Sequence, residues 1–161
     1  MKPATTSTSP FEFWTPGTPM VPAAPMAGCP IQTSMGFLGK KWTIMILRDM
    51  AMQNAERFSE LLRSIEGLTP RILSVRLKEL EAEGIIMKKS VETSPSIVRW
   101  KLTDKGWDAL PILMSLFAFG SKWYPQAAFT DGKAREMVEI YPQRNLREQF
   151  VNLRVEGKGK E

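Results

Sequence analysis

The chain has 161 residues, 43% of them hydrophobic and 24% charged, with a formal net charge of +5 and no histidine. That length and composition suit one globular domain with a sizeable core plus tails. The lack of histidine excludes His-based triads and His-ligated zinc, and the single Cys29 excludes an internal disulfide or a cysteine-only metal site, so no cofactor is expected. No stretch approaches the ~20 apolar residues of a membrane span, and no basic-then-apolar leader opens the chain. The expectation is a soluble, cytoplasmic protein. Its sequence pI of about 9.5 favours a polyanionic partner without identifying one. Most of the positive surplus sits in the middle: residues 29–130 hold 14 basic residues against 10 acidic.

Residues 1–28 are rich in Pro, Thr, Ser and Ala, and read as a flexible arm. Phe11, Phe13 and Trp14 stand out in it, either as a docking element for a partner or as a cover for the chain's own core. Residues 34–50 follow a helical pattern in which Phe37, Leu38, Trp42, Met45, Ile46 and Met50 recur at threes and fours. A shorter helix is expected over residues 59–64, with Ser59 as N-cap and Leu61, Leu62 and Ile65 as packing residues. Glu66, Gly67 and Leu68 then turn the chain. Two short helices joined by a Gly-containing turn make a helix-turn-helix pattern.

The second of those helices is the most sharply written. Thr69 is a good N-cap, Pro70 fits the first helical position, and Gly84 ends the helix. Leu73, Leu77 and Leu80 share one face, while Arg71, Ser74, Val75 and Lys78 fall opposite. A helix seated by leucines with a short basic outer face suits a DNA groove. Arg71, Ser74, Arg76 and Lys78 are therefore candidate DNA contacts, with Arg71 suited to guanine and Arg76, on the flank, to phosphate. Thr69 and the helix N-terminus suit a phosphate. Glu79, Glu81 and Glu83 read as a solvated helix end rather than a catalytic cluster.

After Gly84 the period changes to two. Ile85, Met87 and Val91 are expected to face one way, matched by Val98, Trp100 and Leu102 on a return strand beyond a turn over residues 92–96. This hairpin is a wing. It is decorated by Lys88, Lys89, Arg99 and Lys101, of which Lys88, Lys89 and Arg99 are candidate phosphate or minor-groove contacts. Thr103 is the next N-cap, supported by Asp104. The apolar segment that follows, residues 107–124, exceeds what one side of a small domain needs, so part of it should be an oligomer interface. Leu110, Leu113, Met114, Phe117 and Trp123 are the interface candidates, and Pro111 should bend the helix or start a new one. Residues 131–161 suggest two short amphipathic helices broken by Pro142, the first with Met137, Ile140 and Tyr141, the second with Leu146, Phe150 and Leu153; the last residues look frayed.

The fold class is thus mainly α with a small β-hairpin wing, divided into an arm (1–28), a winged helix-turn-helix domain (29–124) and a C-terminal extension (125–161). The order of several pieces carries more. Cys29-Pro30 is followed by Gly39-Lys-Lys-Trp-Thr-Ile-Met-Ile-Leu-Arg48, Arg57-Phe-Ser-Glu-Leu61 and Gly67-Leu-Thr-Pro70. Next come Leu73-Ser-Val-Arg-Leu-Lys-Glu-Leu-Glu-Ala-Glu-Gly-Ile-Ile86 and Leu102-Thr-Asp-Lys-Gly106. Over about residues 28–124 this resembles the HxlR-type winged helix-turn-helix transcriptional regulators. The resemblance implies a homodimer, held by an N-terminal helix and the long C-terminal helix, on operator DNA with two half-sites. It also implies that Lys40 stands where the family usually has a second glycine, and that Cys29 occupies the position of a redox-sensing thiol in several relatives. An oxidant at Cys29, or a small molecule between the long helix and the domain, is the candidate signal. The competing reading is a winged-helix module that binds a protein rather than DNA.

Overall fold

The computed structural model describes residues 17, 19, 21–22, 24–89 and 98–141. The expectations for Phe11, Phe13 and Trp14, for Val91 and the turn over 92–96, and for everything from Pro142 onward lie outside the described residues. The chain runs through α1 (Pro30–Leu38), α2 (Thr43–Met52), α3 (Phe58–Ser64), α4 (Pro70–Ala82), β1 (Ile86–Lys89) and β2 (Arg99–Leu102). It ends in α5 (Asp104–Trp107), α6 (Leu110–Trp123), α7 (Pro125–Ala128) and α8 (Met137–Ile140).

The single helix expected over residues 34–50 is two helices meeting at a corner. Gly39 closes α1 with its N–H on the Met35 carbonyl, and Trp42 takes a left-handed backbone, φ 78°, before α2 begins. A left-handed non-glycine residue costs roughly 1–2 kcal/mol. The conformation turns the Trp42 indole toward the loop between α3 and α4, where a Cβ on Gly67 would lie 3.2 Å from the ring. A contact of 25 residues' separation outranks the local helical period.

The α3 helix starts one residue before the expected position. Arg57 is the N-cap, and the Glu60 carboxylate accepts the backbone N–H groups of Glu56 and Arg57 at 3.0 and 2.9 Å. The Glu60 carboxyl is held below its usual value of 4.5, chiefly by the Arg57 N–H. Helix α4 follows expectation: Thr69 Oγ1 accepts the Ile72 N–H at 3.3 Å, and Gly84, φ +67°, ends the run.

The wing is antiparallel, with Ile86 opposite Leu102 and Lys88 opposite Trp100. Its inward residues differ from the expected set. Ile86 is buried and Met87 is exposed, so Met87 faces away from Trp100 and Leu102, and Val98 is exposed as well. Ile85 remains buried because it precedes the strand, where alternation does not yet hold. A short third segment pairs with β2, as Trp100 donates its N–H to the Glu56 carbonyl at 2.8 Å.

Thr103 caps α5 and joins it to β1. Its hydroxyl accepts the Gly106 N–H at 3.2 Å and donates to the Gly84 carbonyl at 2.6 Å. Gly106 passes so close to the residue that leads into β1 that a Cβ there would lie 2.3 Å from the Ile85 carbonyl oxygen. Pro111 sits in the first turn of α6 and starts it as a new helix, one of the two outcomes expected. Beyond α7 the chain folds back on α6, where the buried Ser121 hydroxyl bonds the Arg135 backbone.

One apolar core joins the elements from α1 to α6. Ile46, Leu47, Leu61, Leu73, Leu77, Ile85 and Ile86 are at most 2% exposed, each contributing about 1.5–3 kcal/mol of burial. Asp49 on α2 is the one carboxylate fully buried among the described residues, and it accepts from Arg48 Nε at 2.5 Å and Gln53 Nε2 at 3.3 Å.

Candidate DNA interface

The interface is built on α4. Leu73, Leu77 and Leu80 are 0%, 2% and 3% exposed and anchor one face of the helix in the core. Arg71, Ser74, Val75 and Lys78 are left exposed on the other. Among the described residues neither Arg71 nor Lys78 makes an ion pair or side-chain hydrogen bond. Two unneutralised cations about two turns apart on one helix face offer donors to an anion without first breaking a contact. Thr69, also exposed, stands at the N-terminal end of the same face.

Arg76 already has partners within the chain. Its guanidinium turns toward the α1–α2 corner, where Nε donates to the Lys41 carbonyl at 3.0 Å and Nη1 to the Glu79 carboxylate. Lys40 reaches the same carboxylate at 3.0 Å. The Lys40 ammonium and the Arg76 guanidinium together hold the Glu79 carboxyl below its usual 4.5. The flank position was legible from the helical period; the carbonyl 35 residues away that occupies the guanidinium was not. Glu79 is accordingly part of a tie between α4 and the corner, not simply a solvated helix end. Lys40 supplies half of that tie.

The wing cations are also paired. Lys89 and Arg99 flank Glu56 at 3.3 and 3.2 Å, and Lys88 lies 3.3 Å from Glu81 with its ammonium 5.3 Å from the Trp100 ring centre. Arg99, aided by Lys89, keeps the Glu56 carboxyl below its usual 4.5. Lys88 and Lys89 are half exposed to solvent, whereas Arg99 is partly covered. Sequence reading missed Glu56, because nothing in a loop glutamate signals that it will meet a strand 43 residues on.

The interface candidates of α6 divide between its two faces. Leu110 and Leu113 are buried in the chain's own core and Met114 packs against it. Phe117 lies on the same inward stripe and is partly covered, so these four do not form an outer surface. Only Trp123 of the expected set lies outward, in the row Ile112, Leu116, Phe119 and Trp123, which is 42–62% exposed. Ile112, Leu116, Phe119 and Trp123 share an i, i+4, i+7, i+11 spacing. In a helix apolar all round, that period marks two stripes and does not say which is inside.

Residues 37–128, more than half of the chain, match the family model described as HxlR-like helix-turn-helix. The chain belongs to this family. It is a DNA-binding transcriptional regulator with a winged-helix fold, and its family is one of transcription regulators rather than enzymes. The chain is 39% identical over 93 residues to an HTH-type transcriptional regulator of Halalkalibacterium halodurans, covering 58% of this chain and 82% of the relative. It is 34% identical over 98 residues to another from Synechocystis, covering 61% and 72%. Among solved structures, the redox regulator HypR in its oxidized form is 30% identical with a TM-score of 0.54, over 58% of this chain and 96% of HypR. The HxlR-like match stops at α7, so α8 and Arg135, the outer end of the tie to Ser121, lie beyond it. No helix among the described residues is long and apolar enough to cross a membrane.

Proposed function

We propose that this regulator works as a homodimer, setting one α4 from each subunit into the major groove of a two-half-site operator in promoter DNA. The half-sites would lie about one helical turn apart, roughly 34–36 Å, or a multiple of that. The observation that carries this reading is α4 itself, seated by three buried leucines with Arg71, Ser74 and Lys78 open on its outer face. Arg71 reads a guanine edge, Lys78 and Thr69 hold phosphate, and Lys88 and Lys89 grip the flanking backbone. Their pairs with Glu81 and Glu56 are exposed and worth about 0–1 kcal/mol, so exchange for phosphate is cheap. Arg99 holds the base of the wing, and Arg76 holds the helix to the corner.

The dimer reading is supported by apolar surface. An apolar groove of about 570 Å³ runs between α1 and α6, lined by Ile31, Met35, Trp42, Met45, Ile112 and Leu116 among others. It continues into exposed Phe119 and Trp123. A second copy's α6 stripe is the complementary occupant. Exposed Cys29 caps α1 at the edge of this surface, and HypR is a redox regulator. An oxidant signal at Cys29 would act between subunits or through a small thiol, because the chain has no second cysteine. Wild-type and Cys29→Ser protein binding operator equally before and after oxidant would remove that signal.

The main test uses DNA fragments selected from a random pool. Arg71→Ala should abolish discrimination between selected and random DNA, while Lys89→Ala weakens both about equally. Equal, small effects at both positions would sink the assignment of α4 as the reading helix.

A further inference from the structure

The apex of α4 is occupied by an aliphatic residue. At 3.6 residues per turn, Val75 lies about 170° round the helix from the Leu73–Leu77–Leu80 seat, farther round than Arg71, Ser74 or Lys78. Val75 is 46% exposed, and it stands about one turn from Arg71 on one side and Lys78 on the other. For the free protein this is a poor choice. A β-branched residue has lower helix propensity than Ala, Lys or Gln, and its methyl groups are left in water. Arg71, Ser74 and Lys78 offer the groove only donors and a hydroxyl. Val75 offers only methyl groups, at the point of the helix that reaches deepest.

The floor of the major groove has one apolar feature, the C5-methyl of thymine. We propose that Val75 reads a thymine methyl in each operator half-site, between the contacts of Arg71 and Lys78. This rests on α4 being the helix that enters the groove. Arg71 and Val75 are four residues apart, about 6 Å along the axis, or roughly two base steps of 3.4 Å. The thymine therefore lies within about two base pairs of the guanine that Arg71 reads. The two residues together specify a step in which neither base can be exchanged without loss.

The full chain is used to select operator fragments from a random DNA pool, and each thymine of one half-site is then replaced singly by deoxyuridine. Deoxyuridine keeps every hydrogen-bonding group of thymine and lacks only the methyl. Wild-type protein should lose about fourfold in affinity at one position, the value of one buried carbon at about 0.8 kcal/mol. Val75→Ala should bind the unmodified operator more weakly by a similar factor and show no further loss with deoxyuridine there. Circular dichroism should be unchanged, since Val75 is a surface residue. The proposal is overturned if wild-type protein tolerates deoxyuridine at every position. It is equally overturned if the sensitive position stays as sensitive in Val75→Ala. Arg71→Ala separates the two levels. Undiminished discrimination in that variant, with no deoxyuridine effect in wild type, removes α4 as the reader. Lost discrimination without a deoxyuridine effect removes only the role of Val75.

Discussion

Arg76→Ala distinguishes a residue that holds the recognition helix from one that holds DNA. In the folded chain its side chain is 19% exposed and its guanidinium bonds both the Lys41 carbonyl, at 3.0 Å, and Glu79. Hydrogen bonds involving a charged group contribute about 1.5–3 kcal/mol each. Two considerations bring the loss toward the low end. Lys40 keeps Glu79 partnered after the substitution, and the exposed Lys41 lets water reach its carbonyl. The expected cost is about 1.5 kcal/mol in total, which for a domain of this size lowers Tm by roughly 6–12 °C. Thermal unfolding followed by far-UV circular dichroism measures it. The second readout is operator affinity from 50 to 200 mM salt. A phosphate contact contributes about 0.9 to the slope of log K against log salt, and Arg76→Ala should leave that slope unchanged. Lys78→Ala should do the reverse, flattening the slope by about 0.9 per contact with stability within about 0.5 kcal/mol of wild type. The reasoning is refuted if Arg76→Ala melts with wild type and flattens the salt slope, since the guanidinium would then leave Lys41 for the DNA.

Three other outcomes follow from the same contacts. Gly106→Ala drives a methyl to 2.3 Å from the Ile85 carbonyl oxygen and 3.1 Å from Leu102 Cδ2, so it should cost about 3 kcal/mol or more in urea unfolding; a near wild-type midpoint would mean that α5 can slide away from β1. Leu116→Arg places a charge on the exposed row of α6 without touching the core, and should shift the proposed dimer to monomer in sedimentation, with Tm falling only by the stabilisation that subunit association supplies. A dimer that persists in that variant would place the subunit contact elsewhere. The depressed carboxyls of Glu56, Glu60 and Glu79 add stability that is present above their unfolded value of about 4.5 and is lost as pH falls through the lower folded values. Urea midpoints should therefore drop on acidification below about pH 4.5, and Glu56→Gln should be less stable at pH 7 with a shallower drop; an unchanged acid profile would show that Arg99 and Lys89 do not hold Glu56 in solution.

Legibility from sequence depended on how far apart the deciding groups stand along the chain. Helix α4 was readable in full because its cap, its seat and its stop lie within sixteen residues and act through local geometry. Thr103 was readable for the same reason. The Gly39–Trp42 corner was not, because the helical period runs through it and only the approach of Trp42 to Gly67 interrupts it. The phase of β1 was missed by one residue, since Ile85 and Ile86 are both apolar and only pairing with β2 decides which opens the alternation. A one-residue change of phase turns Met87 outward.

The amino-acid sequence by itself determined the winged helix-turn-helix, the second helix of that motif and the residues on that helix's two faces. Those follow from turn chemistry, capping and hydrophobic period, which are interactions between near neighbours. Tertiary structure decided which cations remain open to DNA. Among the described residues Arg71 and Lys78 stay unpaired, while Arg76 is taken by the Lys41 carbonyl and the wing cations by Glu56 and Glu81. It also decided which stripe of α6 is left outside. Long charged side chains reach partners dozens of residues away, and a helix apolar all round is oriented only by what packs against it.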